Sequence, residues 1–160
     1  MDVVKKENIE FSVVGGVLTQ MKSMTDLVID AYIPKRLPNG VKINAIGMRF
    51  CKGFYNKIVI DDDIKEIWQG AFECSCVKEV VWPSNCSVIP ENCFSCNNIE
   101  SVSNTDNVTT IMRYAFSGSG VKKFNWPFRC KKIPYQCFYN SKLEYIFGID
   151  NVKTIDASAF

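Results

Sequence analysis

The sequence predicts a β-rich solenoid, in which successive coils stack through a ladder of parallel strands. The main evidence is a series of phenylalanines spaced 22 residues apart. Small and apolar residues recur at fixed distances from each of them, and a strand-like segment follows each of the first five. A fixed period of this size is typical of folds in which each repeat is buried only against its neighbours. The phenylalanines are Phe50, Phe72, Phe94, Phe116, Phe138 and Phe160.

The positions around each phenylalanine have a constant character. Apolar residues stand five and eight positions after it, as Val77 and Val80 do after Phe72. The residue five positions before it is apolar in every repeat: Ala45, Ile67, Ile89, Ile111, Ile133 and Ile155. The residue immediately before it is small from the second repeat on: Arg49, Ala71, Cys93, Ala115, Cys137 and Ala159. We expect these positions to form the core of each coil.

A second periodicity joins the coils in pairs. Residues 72–115 and 116–159 align without gaps. The dipeptide Trp-Pro occurs only in alternate coils, at Trp82 and Trp126, and two cysteines recur with it. The repeating unit therefore has the appearance of a duplicated two-coil block.

The composition limits the possible functions. The chain has 160 residues, which is long enough for one domain with a sizeable core, and a formal net charge of +2. Such a charge implies no general attraction to nucleic acid or to anionic membranes, and no apolar run reaches transmembrane length. The absence of histidine excludes Ser/His and Cys/His catalysis and all metal sites that contain histidine. We therefore predict a protein that is not an enzyme and holds no cofactor.

The N-terminal segment lies outside the 22-residue register. Residues 1–10 are charged and are expected to be frayed. Residues 11–14 and 17–20 predict a β-hairpin, because Gly15 and Gly16 supply the positive φ angles of a tight turn. Residues 26–33 form another extended apolar run that ends at a proline. We interpret residues 1–44 as a tail and hairpin cap, and residues 45–160 as an array of about five coils.

The coils themselves predict one strand each. The expected strands are residues 57–60, 79–82, 101–104, 123–126 and 145–148, stacked in parallel as a ladder on the order of 25 Å long at ~4.8 Å per coil. Pro83 and Pro127 end two of them, since proline has no N–H for the ladder. Asp, Asn and Ser residues occupy the turn that follows, where their side chains bond back to the backbone.

These motifs resemble the BspA-like, or Treponema pallidum-type, leucine-rich repeats. The family pattern is I-x-x-x-A-F-x-x-C-x-x-L-x-x-I-x-[LIW]-P. The second coil matches it at Ile67, Ala71, Phe72, Cys74, Val77, Val80, Val81, Trp82 and Pro83, and residues 111–127 match most of it. Departures from the pattern are Arg49 at the small position, Asn104-Thr105 and Gly148-Ile149 at the apolar-Pro position, and a length of 22 rather than 23 residues.

The resemblance implies a fold and a general role. It implies a right-handed leucine-rich-repeat coil with a parallel sheet on one side and no catalytic residues. It also implies a cell-surface or secreted adhesion module that binds a protein or glycan, such as a host matrix or neighbouring-cell protein. Structural spacer repeats within a larger surface or scaffold protein are the alternative, and a cysteine-based zinc site is a weaker one.

We expect ligand contact on the outward side of the strand ladder. Inward side chains are constrained by the core, whereas outward side chains vary freely between coils. Uniformly small polar residues would indicate a spacer, but these positions vary in charge, size and aromaticity. Tyr145 and Phe147 form an aromatic pair of the kind enriched at binding sites, unless a further coil covers them. The outward positions are Lys57, Val59, Glu79, Val81, Ser101, Ser103, Lys123, Asn125, Tyr145 and Phe147.

The eight cysteines admit three interpretations. Cys74, Cys76, Cys93 and Cys96 have spacings compatible with a tetrahedral zinc site, and paired thiols could form disulfides or a redox site. Alternatively, cysteine is a small hydrophobe that fills positions where other coils have Ala, Gly or Asn. We predict packing and mostly free thiols.

Other polar clusters are expected to be solvated. Asp61, Asp62 and Asp63 form a turn without the further ligands of a calcium loop. A basic cluster over residues 122–132 has no base-stacking aromatics at a recognised spacing, so nucleic acid is not an expected partner. Asn85 and Asn107 lie in glycosylation sequons.

The two ends of the chain suggest a fragment of a longer protein. Residues 1–7 lack the apolar core of a signal peptide, and the chain stops at Phe160 within a repeat. We therefore expect Phe160 to be more exposed than the other phenylalanines of the series. Alternatively, it is buried through end-to-end self-association of the C-terminal coil.

Overall fold

The computed structural model describes the backbone of residues 2–6 and the complete residues 8–160. This part of the chain is rich in strands, and its one helical element is a three-residue 3-10 helix, Ile149–Asn151. Parallel strand pairs connect successive coils. The predicted strand-rich repeat fold is therefore confirmed.

An antiparallel sheet precedes the coils. β1 (Asp2–Lys6) pairs with β2 (Ile9–Val14), which pairs with β3 (Val17–Ser23). Gly15 and Gly16 connect β2 to β3 with φ angles of 57° and 81°, as predicted for the hairpin. The expectation that residues 1–10 are frayed is wrong for β1, because all five of its residues pair with β2; Met1 and Glu7 lie outside the described residues.

The hairpin packs directly against the first coil. β3 pairs in parallel with β5 (Ala45–Ile46) and with β6 (Cys51–Lys52). Leu18 and Met21 on β3 are fully buried in the same core as the coils. The antiparallel sheet and the coils therefore share one hydrophobic core.

The long strands of the coils form the predicted ladder, with one additional strand at its start. The six long strands are β4 (Ile29–Ile33), β7 (Phe54–Ile60), β9 (Cys76–Val81), β11 (Ser101–Ser103), β13 (Lys123–Asn125) and β15 (Tyr145–Phe147). The first four form one sheet in this order, and the last two form a second sheet. From β7 onward, paired residues are 22 positions apart, as Lys57 and Glu79 are.

The ladder is not continuous, contrary to the prediction of five stacked strands. β11 is the last strand of the four-stranded sheet, and β13 begins the two-stranded one. Two features accompany the break. Val102 in the centre of β11 is only partly buried, whereas the equivalent Phe124 is a larger, buried ring. Asn104, directly after β11, has a left-handed backbone with a φ of 61°.

Two-residue strands form a second line of parallel contacts. They are β8 (Glu66–Ile67), β10 (Val88–Ile89), β12 (Thr110–Ile111), β14 (Lys132–Ile133) and β16 (Thr154–Ile155). The pairs are β5 with β8, β10 with β12, and β14 with β16. The first four of these strands each place the isoleucine that precedes the next phenylalanine in the core, whereas Ile155 in the last strand is exposed.

The first coil departs from the alignment read from the sequence. Ile46, not Ala45, pairs with Ile67, and the Arg49 amide donates to the Gly70 carbonyl at 3.0 Å. Arg49 also has a positive φ of 49°, as Gly70 does at 61°. Arg49 therefore corresponds to Gly70 and does not replace the small residue; the first coil lacks that position.

Each phenylalanine of the regular coils lies between two residues with left-handed backbone. Phe72, for example, lies between Gly70 and Cys74, both with positive φ. The other coils use Asn92 and Cys96, Tyr114 and Gly118, and Gln136 and Asn140 at these two positions. Left-handed backbone costs an L-residue on the order of 1–2 kcal/mol, so tertiary packing must stabilise these short arcs.

The phenylalanine rings stack along the solenoid. Ring centroids of Phe72, Phe94, Phe116 and Phe138 are 5.2–5.3 Å apart, with interplanar angles of 12–20°. Phe50 meets Phe72 edge-on at 5.0 Å. All five are buried, whereas Phe160 stacks on Phe138 at 5.9 Å and is 54 % exposed, as predicted.

The alternate tryptophans explain the two-coil period. Trp82 and Trp126 are buried, and each indole N–H donates to a carbonyl four residues later, that of Cys86 or Cys130, at 3.0 Å. In the coil that follows each of them, the equivalent positions Asn104 and Gly148 adopt positive φ instead. The two kinds of coil therefore leave the strand in different directions.

A buried asparagine joins two of the arcs. Asn97 Nδ2 donates to the Phe72 carbonyl at 2.7 Å and to Ser75 Oγ at 2.8 Å. The equivalent residues in other coils are Ser75, Ser119 and Ser141. Asn97 thus supplies a direct link between neighbouring coils inside the protein.

Truncation of the stack should strongly destabilise the fold. Phe94→Ala or Phe116→Ala removes a buried ring between two neighbours, and we expect a loss of roughly 3–5 kcal/mol in the free energy of unfolding. Urea denaturation measures this loss. Phe128→Ala is the control, because Phe128 is 68 % exposed and should cost far less. A parent-like midpoint for both stack variants would contradict the role of the rings.

The Asn97 link can be tested separately. Asn97→Ala removes both of these buried hydrogen bonds, but the Phe72 carbonyl still accepts from Ser75 Oγ at 2.9 Å, so we expect a loss of about 1–2 kcal/mol. Asn97→Ser should recover part of the loss, because serine occupies this position in other coils. Thermal denaturation of the two variants gives the comparison, and equal melting temperatures of Asn97→Ala and the parent would refute the assignment.

Candidate ligand-binding face

The ten predicted outward residues lie together on one surface, which we call the strand face: Lys57, Val59, Glu79, Val81, Ser101, Ser103, Lys123, Asn125, Tyr145 and Phe147. All ten are exposed or partly exposed. The residues between them face the core, with Ile58, Val80 and Phe124 buried. Parallel pairing aligns them in two adjacent rows within each sheet, and the rows are interrupted between β11 and β13.

Sequence reasoning missed the first members of both rows. Asp30 pairs with Lys57 and Tyr32 pairs with Val59, so β4 extends the strand face by one strand. The Tyr32 side chain is 46 % exposed. The alternating apolar run ending at Pro34 was a signal for this strand, but its spacing from β7 is not 22 residues, so its partner could not be assigned.

The first half of the strand face is largely self-paired. Lys57 Nζ lies 2.9 Å from Glu79 Oε1, so the two charges neutralise each other between neighbouring coils. Val59 and Val81 are only partly exposed. This half offers a partner little unpaired charge.

The second half carries exposed aromatic rings beside a lysine. Tyr145 and Phe147 are 56 % and 50 % exposed, and their rings stack with centroids 6.4 Å apart and an interplanar angle of 16°. Lys123 Nζ lies 5.7 Å from the centroid of Tyr145. The rings and the cation together form a rigid amphipathic surface.

An open groove with a volume of about 710 Å³ adjoins this aromatic surface. It spans the break between β11 and β13. Gly120 forms part of its floor, where an added Cβ would lie 3.2 Å from the Asn98 carbonyl carbon. Four lysines and two glutamates line the groove, together with Asn98 and Gly120: Lys78, Lys122, Lys123, Lys142, Glu100 and Glu144. The surplus of lysine favours a ligand that carries negative charge.

A smaller groove of about 340 Å³ lies beside Tyr32 at the other end. The Tyr32 hydroxyl donates to Asp61 Oδ2 at 2.6 Å, which lowers the pKa of Asp61 and raises that of Tyr32 to about 12. Asp61 Oδ1 accepts from the Asp63 amide, and Asp62 Oδ1 accepts from the Ser84 amide at 2.6 Å. The three aspartates therefore take part in hydrogen bonds within their own turn and to neighbouring coils.

The basic cluster of residues 122–132 is divided in the structure. Lys122 and Lys123 line the large groove, whereas Arg129, Lys131 and Lys132 line a separate groove of about 250 Å³. Lys132 is paired with Asp156 at 2.7 Å. No single basic patch results, because these side chains leave the coil on different sides.

The cysteines occupy two different environments. Cys51, Cys86, Cys93, Cys130 and Cys137 are buried, and burial raises the pKa of Cys51 to about 12 and that of Cys130 to about 11. The packing interpretation is confirmed for these five. It is wrong for Cys74 and Cys96, which are exposed because they lie at the left-handed corners of the arcs. Cys76 is partly buried.

Neither a metal centre nor a membrane helix emerges from the residues that the structure describes. Within them, no group of three or more His, Cys, Asp or Glu residues is placed to hold a metal ion. Cys93 is fully buried while Cys96 is exposed, so the four cysteines of the zinc hypothesis do not converge. No helix of this part of the chain is long and apolar enough to cross a membrane.

These features define a class of protein: a β-solenoid of short leucine-rich-type coils with one exposed, variable strand surface. Residues 41–160 match six copies of the family described as BspA type leucine rich repeat region. The match covers three quarters of the chain, and the protein therefore belongs to this family. No curated protein matches the chain.

A solved structure supports the fold. A leucine rich cell surface protein from Faecalibacterium prausnitzii superposes with a TM-score of 0.68 at 22 % sequence identity, over 100 % of this chain and 46 % of that one. The pneumococcal vaccine antigen PcpA superposes with a TM-score of 0.45 at 12 % identity, over 99 % and 51 %. The chain therefore spans about half the length of these proteins.

The accessibility of the cysteines can be measured directly. In the folded, reduced protein, a maleimide reagent should modify Cys74 and Cys96 first, Cys76 next, and the five buried cysteines only on unfolding. Denatured but unreduced protein should titrate with at least six thiols. Mass spectrometry of timed samples distinguishes the groups, and early labelling of Cys93 or Cys137 would contradict their burial.

Proposed function

We propose that this protein is a non-enzymatic adhesion module that binds a protein or glycan through the strand face. The observation that carries the proposal is the exposed, stacked pair of Tyr145 and Phe147 beside Lys123. Aromatic residues contribute strongly to binding because they bury a large area at little conformational cost. The adjoining lysine-rich groove adds a site for negatively charged groups of the same ligand.

The structural-spacer alternative accounts less well for this surface. A spacer requires only solvation of its outward residues, and small polar side chains such as Ser101 and Ser103 provide it. Two half-exposed rings leave apolar surface in contact with water, which is unfavourable unless a partner covers them. Their position beside the lysine-rich groove favours a ligand as that partner.

The proposal includes the organisation and location of the module. Residues 1–44 act as the N-terminal cap and residues 45–160 as a right-handed array with a 22-residue period. The described similarity to a cell surface protein supports a surface or secreted location. In this setting the ligand is a host matrix or neighbouring-cell component, and the repeats hold the strand face in a fixed orientation.

The double variant Tyr145→Ser/Phe147→Ser tests the proposal. The parent and the variant are assayed on immobilised extracellular-matrix proteins and on a glycan array, and their melting temperatures are compared. We expect binding by the parent to fall at least tenfold in the variant while the melting temperature changes by only a few degrees, because both rings lie outside the core.

A matched control distinguishes the loss of rings from the strand face from the loss of any two exposed aromatic rings. Phe128→Ser/Tyr139→Ser also removes two exposed rings, but neither lies on the strand face. This control should bind as the parent does. Unchanged binding by the Tyr145/Phe147 variant would locate the ligand elsewhere, and a large loss of stability would show that the pair is structural.

A further inference from the structure

Cys74 and Cys96 occupy the same position in adjacent coils. Each lies two residues after a stacked phenylalanine, and each has left-handed backbone, with φ of 54° and 51°. The next two coils have Gly118 and Asn140 at this position, with φ of 64° and 54°. Glycine and asparagine are the residues that adopt this backbone most readily, whereas cysteine gains nothing from it.

Packing does not explain the two cysteines. The five buried cysteines fill spaces in the core, but Cys74 and Cys96 are exposed on the outer corner of the arcs. A residue that is locally unfavourable and makes no core contact is often retained for another function. Two such residues in successive coils suggest that their thiols act together.

The backbone holds the two residues in register. The Cys74 amide donates to the Ser95 carbonyl at 3.0 Å, and the Cys96 amide donates to the Ser117 carbonyl at 2.8 Å. Stacked coils are separated by ~4.8 Å, which lies within the Cα–Cα range of about 4.4–6.8 Å found for disulfides. The spacing therefore permits a bond without movement of the coils.

The side chains also interact. Partial desolvation and the neighbouring Cys96 thiol raise the pKa of Cys74, so the two sulfurs lie close enough to influence each other. The Ser95 hydroxyl donates to Cys96 Sγ at 3.8 Å, which supplies a weak donor to that sulfur. Both thiols face solvent, where a small oxidant can reach them.

We propose that Cys74 and Cys96 form a reversible disulfide that links adjacent coils. A low-molecular-weight disulfide is the oxidant. The thiolate of one cysteine attacks it, releasing one equivalent of small thiol and forming a mixed disulfide; the second cysteine then displaces the other equivalent. The protein loses two protons and two electrons, and the oxidant takes them up to become two thiols.

This bond would regulate the stability of the array. It joins two residues 22 positions apart, closes a loop the length of one coil that contains Phe94, and so restricts the unfolded chain. We expect oxidation to raise the melting temperature by roughly 5–10 °C. A reducing compartment would return the coils to the less stable dithiol state.

The test uses the full chain, reduced and then incubated with oxidised glutathione at pH 8.5. After acid quenching and alkylation, the number of free thiols should fall from eight to six. Fragmentation mass spectrometry of the digest should locate the link between Cys74 and Cys96; fragmentation is needed because trypsin leaves Cys74 and Cys76 in one peptide.

Two single variants provide the controls. In Cys74→Ser and in Cys96→Ser the remaining cysteine has no partner, so it should retain a glutathione adduct and the melting temperature should not rise. The proposal is overturned if the parent carries glutathione on both cysteines without a link. It is equally overturned if the link joins another pair, such as Cys51 with Cys76 or Cys86 with Cys93.

Discussion

The structure depends on the stack of phenylalanine rings along the solenoid. Successive rings from Phe72 to Phe138 have centroids 5.2–5.3 Å apart, so the thickness of a stacked ring must match the spacing of the coils. Neighbouring coils bury one another, and no coil has a complete core of its own. This mutual burial stabilises the left-handed corners on either side of every ring.

Those corners determine where the remaining side chains lie. The residue at the second corner, two positions after the ring, is exposed, whereas the small residue beside the phenylalanine is buried. The same residue type can therefore serve opposite purposes in one coil: Cys93 is fully buried next to Phe94, while Cys96, two positions beyond the ring, is exposed. Backbone conformation, not side-chain chemistry, distinguishes them.

The strand face follows from the same geometry. Because the inward residues of β9 and β13 contact the stacked core, their outward neighbours are fixed in position but not in identity. The first half of the surface uses this freedom for an ion pair between Lys57 and Glu79. The second half leaves Tyr145 and Phe147 uncovered, and the break after β11 places a lysine-rich groove beside them.

The sequence by itself determined the solenoid, the hairpin, the burial of the phenylalanines and the outward rows, because all of these follow from periods of 22 and of 2 residues. It did not determine the place of Asp30 and Tyr32, whose distance from the next strand differs from the repeat. Nor did it reveal that Arg49 corresponds to Gly70, because one residue is missing from the first coil.

Only the tertiary structure decided the left-handed corners and the break in the ladder. Glycine marks the corners at Gly70 and Gly118, but Tyr114 and Gln136 adopt the same backbone although their side chains do not favour it. Local preference is outweighed there by the burial of Phe116 and Phe138 against their neighbours. The exposure of Cys74 and Cys96 is a consequence of this packing, and so a pattern of residue types alone could not predict it.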